Sequence, residues 1–502
     1  MIHHILARAN TTEIIKLRLS STIFKATVMT SANHTYTPRY YDIGVNLTDD
    51  MFEGQYRSSK HHQNDVEFML RRARSFNVTH MLLTGSSLSE SKRTLELVEY
   101  YNDLNRKSIT PNEFSDDNSN GNDHHIKQLP FPILKCTVGV HPCTVLEFES
   151  KSNGKSDGLN SCTGASCSSP STSLNKPTED QDQDHRADNE DVNPVSNDQK
   201  SYSTSTTIAE DHLAALGKLI KEHPEEVRAF GEIGLDYDRL HYTPKDKQMK
   251  YFELQLKLAC QFKLPLFLHM RAAFEDFMSI LLPFIKGTRD DGLKLQNKKC
   301  VVHSFTGTKE ELSKLMSYDW CYVSFNGCSF KDEENLEVVK GVNIDKLMIE
   351  TDSPWCEIKP TSAAWTLVNK SPNSFYPQEY VFNQDVETQQ QQSQQVPTTG
   401  GTSEEGNSNK SRPKKPKQKP PKKDQITLHP HLAIPVVKSK KYDQFVSENV
   451  SKPWFGNGPL IKGRNEPCMV GFVGEVVAHL TKSDEKEVIE KCFANSIEVF
   501  GE

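Results

Sequence analysis

The chain has 502 residues, of which 35% are hydrophobic and 25% charged, and its mean hydropathy of -0.63 is too polar for folded cores along the whole length; one or two cores diluted by segments that do not fold are expected. The formal charge of -7 removes any global attraction to nucleic acid, so such binding has to come from local basic patches. Eleven cysteines without a CxxC pair argue for scattered thiols in a reducing compartment rather than a disulfide framework, and no apolar run reaches the roughly 18 to 20 residues that cross a bilayer.

The first segment, residues 1–36, is read as a tail. Arg8, Lys16, Arg18 and Lys25 stand among many Ser and Thr with Glu13 as the lone acid before residue 35, and Ile14, Ile15 and Leu17 share a helix face. That is the pattern of a mitochondrial transit peptide or of a disordered basic tail, and Met29 offers a start for a form without most of it. From Tyr40 onward short apolar runs alternate with stretches of helical periodicity. The runs are Tyr40 to Leu47, Val78 to Gly85, Ile133 to His141, Val227 to Asp236, Leu264 to Arg271, Lys299 to Gly307, Trp320 to Gly327 and Leu347 to Ile349. Helices are predicted over 65–75, 89–101, 208–221 and 245–262, with a last helical pair after the segment KGRNE at 462–466. Eight strands alternating with helices in one domain, 39–502, predict a closed (β/α)8 TIM barrel of the α/β class.

Three insertions interrupt that pattern, at 103–130, 150–205 and 370–424. The first two have too little apolar content to fold alone, and Cys162 and Cys167 inside the second are read as non-structural. The third carries QQQQSQQ and the run RPKKPKQKPPKK at 412–423, which is either a phosphate-touching or nuclear import segment or a solvated linker.

In a TIM barrel the reactive groups sit at the C-terminal ends of the strands. Those ends carry Asn46, Thr84, His141, Glu232, His269, His303, Asn326 and Asp352. Taken singly, Asp352 reads as a turn residue and each histidine as a satisfied core or cap residue. Taken together, Glu232, His269, His303 and Asp352 on four strands call for a divalent metal. Zinc, manganese or iron suit the mixed imidazole and carboxylate donors, whereas magnesium prefers oxygen and water. A metal so held brings the pKa of its water toward ~7, and a second one ~3.5–4 Å away clamps both oxygens of a phosphodiester. Asp352 is then placed to bind metal and to orient or deprotonate the water, with Glu232 as the other catalytic carboxylate. Arg271 faces a phosphate or pairs with a neighbouring loop, Asn46 and His141 are the remaining candidates for substrate contact, and His141 with Pro142 is otherwise a metal contact or only a turn.

The motifs DIGVNLTD (42–49), GVHP (139–142), GEIGLDYDR (231–239), PLFLHMR (265–271), HSFTG (303–307), ETDSPW (350–355) and RNEP (464–467) together resemble the TatD family of metal-dependent deoxyribonucleases, and most of all its fungal members. The resemblance implies a TIM barrel, magnesium-stimulated exonuclease or endonuclease action on DNA, roles in DNA repair or in DNA fragmentation during cell death, and metal ligands at Glu232, His269, His303 and Asp352. One departure bears on metal number: where many relatives carry His-x-His on the first strand, this chain has Asp42-Ile43-Gly44-Val45-Asn46, and an amide is a weaker ligand than imidazole. A monomer acting in the cytoplasm is expected, with nuclear and mitochondrial forms reached through the Lys/Pro run and residues 1–34. The rival readings are a metal-dependent hydrolase of another bond, such as a cyclic amide or the ester of misacylated tRNA, and a non-catalytic scaffold that docks through 370–424.

Overall fold

The computed structural model describes residues 36–108, 129–150, 198–369, 426–432, 434–452 and 455–502, with side chains from 208 onward in the third of these segments. The readings of residues 1–35, of the Lys/Pro run and of Cys162 and Cys167 lie outside the described residues. The barrel unit runs from Arg39 to Glu502. Its strands are β1 (Tyr40–Val45), β2 (Val78–Leu83), β3 (Ile133–Val138), β4 (Val227–Asp236), β5 (Leu266–Arg271), β6 (Cys300–Val302), β7 (Cys321–Phe325) and β8 (Leu347–Ile349). They pair in sequence order, and every pairing in this sheet is parallel. Parallel strands covered by helices are buried on both faces, which is why β1, β2, β6, β7 and β8 are buried at every residue. The first and last strands meet through a parallel bridge from Val45 to Ser353. Beside it, Asn46 N donates to Ser353 O at 2.9 Å and Asp352 N donates to Gly44 O at 2.9 Å. The eight-stranded barrel expected from the alternation is the fold.

Around the sheet lie α1 (Val66–Ser75), α2 (Leu88–Ser108), α3 (Asp198–Glu222), α4 (Lys245–Ala259), α5 (Phe274–Lys286), α6 (Lys309–Met316), α7 (Glu333–Val339), α8 (Tyr442–Asn449), α9 (Val470–Thr481) and α10 (Glu485–Phe500). Two of them overrun the boundaries expected from composition. The insertion expected from residue 103 begins inside a helix, since α2 continues to Ser108. The reason is local: the Asn102 amide bonds both ways with the Leu134 backbone, and that of Asn105 does the same with Phe131. Polar residues there satisfy the chain entering β3. Likewise α3 begins at Asp198, ten residues before the predicted Ile208. Among the described residues no helix is long and apolar enough to cross a membrane.

The core has two parts. Tyr41, Ile43, Leu82, Ala229, Phe267, Val301, Tyr322 and Met348 form a layer to which α10 adds Val499 and Phe500. Nearly every strand contributes to it, so this layer fills the barrel, while the larger cluster joins the sheet to the helices. Side chains two positions apart on a strand share a face. Thr84, His269, His303, Ser324 and Glu350 therefore stand one step above Leu82, Phe267, Val301, Tyr322 and Met348, and the apolar layer is the floor of what lies at the mouth.

A buried ion network ties the last third of the chain to the first. Arg464 meets Asp65 with two bonds of 2.7 and 2.5 Å and Glu466 at 2.9 Å, and Arg72 of α1 reaches the other oxygen of Glu466 at 2.8 Å. All four side chains are buried.

Candidate active site

The site is assembled where two glycines of β4 face the backbone of β5 with no room for a side chain between them. Gly231 has φ +155, and a Cβ there would stand 2.1 Å from Phe267 O; Gly234 has φ +148, and its Cβ would stand 1.8 Å from His269 O. Only glycine allows that backbone and that approach. The consequence is that Glu232, between the two glycines, is pressed against His269 from the neighbouring strand.

Glu232 is the hub. Its Oε1 lies 2.9 Å from His269 Nδ1, 2.6 Å from His303 Nε2 and 3.5 Å from His141 Nε2. His269 turns its other nitrogen, Nε2, to Asp236 Oδ2 at 3.0 Å. His303 stacks on Phe267 with ring centroids 4.4 Å apart, so the apolar floor fixes its plane. Its Nδ1 faces Glu350 Oε2 at 3.6 Å, beyond hydrogen-bond reach, and both atoms are buried. Glu350 Oε1 in turn accepts from Ser304 N at 2.7 Å and from Asn326 Nδ2 at 3.1 Å. The ligand atoms of His141, Glu232 and His269 lie within 4.8 Å of one another, as do those of His141, Cys143 and Asp236.

The electrostatics follow from burial and crowding. Burial pushes the Glu232 carboxyl up, but the charges of His303 and His141 and the bonds from His269 and His303 outweigh it and hold Glu232 well below the carboxylate range. Burial opposes the charge on His303, and Glu232 and Glu350 overcome it, raising His303 well above the ordinary imidazole value. His141 has less compensation, and burial lowers it to about 3. Asp236 falls to about 2 because the His269 bond outweighs burial. The set is one of carboxylates and imidazoles held at a fixed convergence, with three ring nitrogens aimed at a single oxygen. Two imidazoles hydrogen-bonded to that oxygen and a third 3.5 Å from it bring imidazole and carboxylate donors together in one small volume, and the donor set fits a divalent metal.

Asp352 stands at the seam between β1 and β8. Its Oδ1 accepts from Asn46 Nδ2 at 2.9 Å, and its Oδ2 accepts from Cys356 Sγ at 3.1 Å. Burial and the Glu350 charge raise it to about 6. Its φ of +53 and that of Cys356, +55, are uncommon for residues other than glycine, and such backbone concentrates at sites held by their surroundings. The seven residues expected at the site, Asn46, His141, Glu232, His269, Arg271, His303 and Asp352, all line one cavity of about 520 Å³ at the C-terminal ends of the strands. Arg239, Lys331 and Lys359 line it as well. Arg271 Nε lies 3.9 Å from Asp238 Oδ2, so it leans on the neighbouring loop while facing the cavity.

Three residues of this arrangement were not singled out from the sequence: Asp236, Glu350 and Cys356. Asp236 follows Glu232 by four on one strand and shares its face, which period-two counting through GEIGLD finds. Glu350 precedes Asp352 by two within ETDSPW. Nothing in the spacing marks Cys356.

The family model described as TatD related DNase matches residues 41–371. The "Deoxyribonuclease Tat-D" of Saccharomyces cerevisiae is 32% identical over 94% of this chain and 94% of its own length, and that of Schizosaccharomyces pombe is 28% identical over 91% and 95%. The "3'-5' ssDNA/RNA exonuclease TatD" of Erwinia tasmaniensis is 32% identical over 63% of this chain and 80% of its own. Among solved structures, an uncharacterized amidohydrolase from Saccharomyces cerevisiae aligns at a TM-score of 0.59 with 27% identity, covering 92% of this chain and 100% of that one. A TatD family hydrolase from Entamoeba histolytica shares the fold at a TM-score of 0.54, with 21% identity and coverage of 92% and 98%. Barrel, mouth residues and matched segment agree, and the chain belongs to the TatD family.

Proposed function

We propose that this protein is a metal-dependent deoxyribonuclease that hydrolyses the phosphodiester bonds of DNA. The observation that carries the reading is the convergence of His141, His269 and His303 on one oxygen of Glu232 at the mouth of an open cavity. The names of the relatives support the substrate class. Glu232, His269, His303 and Asp352 are the ligands we assign, with His141 joining them from the loop after β3. The chemistry supplied by a bound divalent cation is activation of water near neutral pH and neutralisation of phosphate charge. Magnesium is the cation expected in use, with zinc and manganese matched by ligand type, at one or two per site.

The chain's own residues do the rest. Arg271, Arg239, Lys331 and Lys359 hold the phosphates at the cavity wall, guanidinium groups by paired donors and lysines as point charges. Asp352 takes the proton of the attacking water on a carboxylate oxygen, and Asn46 and Cys356 fix the direction of that carboxylate. Asp236 holds the ring of His269 from its far side, which is how an outer carboxylate orients a ligating imidazole.

The test is digestion of end-labelled single- and double-stranded DNA, with an RNA arm, by metal-stripped protein titrated with Mg²⁺, Mn²⁺ or Zn²⁺. Cleavage that EDTA stops, and that His303→Ala and Asp352→Ala abolish, is expected; undiminished cleavage by the purified variants, or silence with every metal, overturns the reading. The protein is further read as a monomer in the cytoplasm, with the 412–423 run and residues 1–34 giving access to nucleus and mitochondrion. Fluorescent fusions with and without those segments check the compartments.

A further inference from the structure

At the rim of the site two sulfurs stand side by side. Cys328 Sγ and Cys356 Sγ are 3.0 Å apart, and both residues line the cavity and are partly exposed. Their proximity is built into the backbone. A Cβ on Gly327, the residue before Cys328, would fall 2.0 Å from Cys356 O and 2.9 Å from Ile358 N, so the two loops touch main chain to main chain. Cys328 is also fixed by its N–H, which donates to Asn326 Oδ1 at 2.9 Å. Cys356 is fixed within the turn where Trp355 N donates to Asp352 O at 3.0 Å. The same Cys356 sulfur donates to Asp352 Oδ2.

We propose that Cys328 and Cys356 are a dithiol modification site, which a peroxide converts to a disulfide and thereby removes the sulfhydryl donor that orients Asp352. One thiol attacks the peroxide, breaking its O–O bond to give a sulfenic acid and releasing water or an alcohol. The second thiol displaces water from that sulfenic acid, forming the S–S bond. Two electrons pass from the two sulfurs to the peroxide, and both thiol protons leave in the products. The fold holds its own control. Cys300 and Cys321 sit opposite each other on β6 and β7 and are fully buried. Neither lines the cavity, whereas Cys328 and Cys356 do.

The modification stands by itself; its effect on turnover rests on the nuclease reading. The magnesium-loaded wild-type protein is treated with hydrogen peroxide, and the remaining thiols are alkylated, mapped by mass spectrometry and compared with DNA cleavage before and after dithiothreitol. A crosslinked peptide joining Cys328 to Cys356 is expected, with alkylation retained at Cys300 and Cys321. Cleavage should fall roughly tenfold or more, the scale of losing one hydrogen bond to a charged group, and return on reduction. Cys328→Ser and Cys356→Ser, each compared with its own untreated rate, should lose most of the peroxide sensitivity. Both thiols remaining alkylatable, or oxidation stopping at single-cysteine acids, overturns the site. A crosslink that leaves cleavage unchanged overturns its control of Asp352. A crosslinked protein that cleaves nothing before or after reduction, with every metal, supports the dithiol site and refutes the nuclease reading instead.

Discussion

Glu232 carries the site because one of its oxygens meets three imidazoles, so a change that keeps its shape and removes its charge isolates the electrostatic part. Glu232→Gln should lower metal-dependent DNA cleavage by at least ~100-fold, beyond the 10- to 100-fold typical of outer-sphere partners of a metal site. It should weaken divalent-ion binding by calorimetry while leaving the circular dichroism of the barrel intact. Cleavage within a few-fold of wild type would remove Glu232 from the ligand set. Most of this constellation was legible because His269, His303 and Glu232 each follow an apolar run whose length is that of a buried strand. Asp236 and Glu350 were harder to see for a physical reason. Reading one residue per strand end misses that a whole strand face faces the mouth, so β4 contributes twice and the segment leaving β8 contributes both Glu350 and Asp352.

At the scale of elements, the contact between β4 and β5 makes a sharp demand. Gly234→Ala places a methyl group into the His269 carbonyl at a φ that side chains rarely adopt, and both effects act on backbone that cannot move without breaking the ladder. A loss on the order of 3 kcal/mol is expected, visible as a lower thermal midpoint or as insoluble protein, and wild-type stability would mean the strands separate easily. A second prediction concerns the short 3-10 helix Val145–Glu149 after β3. Glu147 accepts from Leu88 N at 3.1 Å, and burial, reinforced by the Glu90 charge, raises its carboxyl to about 7. The folded state thus holds this proton more tightly than the unfolded chain. The stabilisation is complete below the unfolded value near pH 4.5 and is lost as pH rises through about 7. Glu147→Gln keeps an acceptor without the charge, so it should stabilise the protein at pH 8 by on the order of 1 kcal/mol and give little benefit at pH 4. Urea midpoints at the two pH values check the sign. Helix ends were the least legible elements, since Asn102 and Asn105 look like loop residues in composition and act as latches only when β3 lies beside them.

Across the whole molecule, the alternation of eight apolar runs made the barrel legible despite long polar interruptions, because each run kept the continuous hydrophobicity of a strand buried on both faces. What the alternation cannot show is how the ends are tied. RNEP was a motif without a stated role, and the structure gives it one: Arg464 and Glu466 bind Asp65 and Arg72 in a buried network. Arg464→Met would leave Asp65 and Glu466 buried without their cation, at a cost of about 3–5 kcal/mol. Chemical denaturation of the variant measures it, and a loss under about 1 kcal/mol would mean that water enters the network.

The seam where β1 meets β8 also orders events in time. Asn46 and Asp352 are 306 positions apart and touch only there. During synthesis the first strand leaves the ribosome long before the last, and a domain generally folds as a unit. A nascent chain that has made seven strands already owns Glu232, His269 and His303 but has no Asp352 to set beside Asn46. On the proposed reading, competence to cut nucleic acid is withheld until the eighth strand has been translated and Asp352 is set beside Asn46.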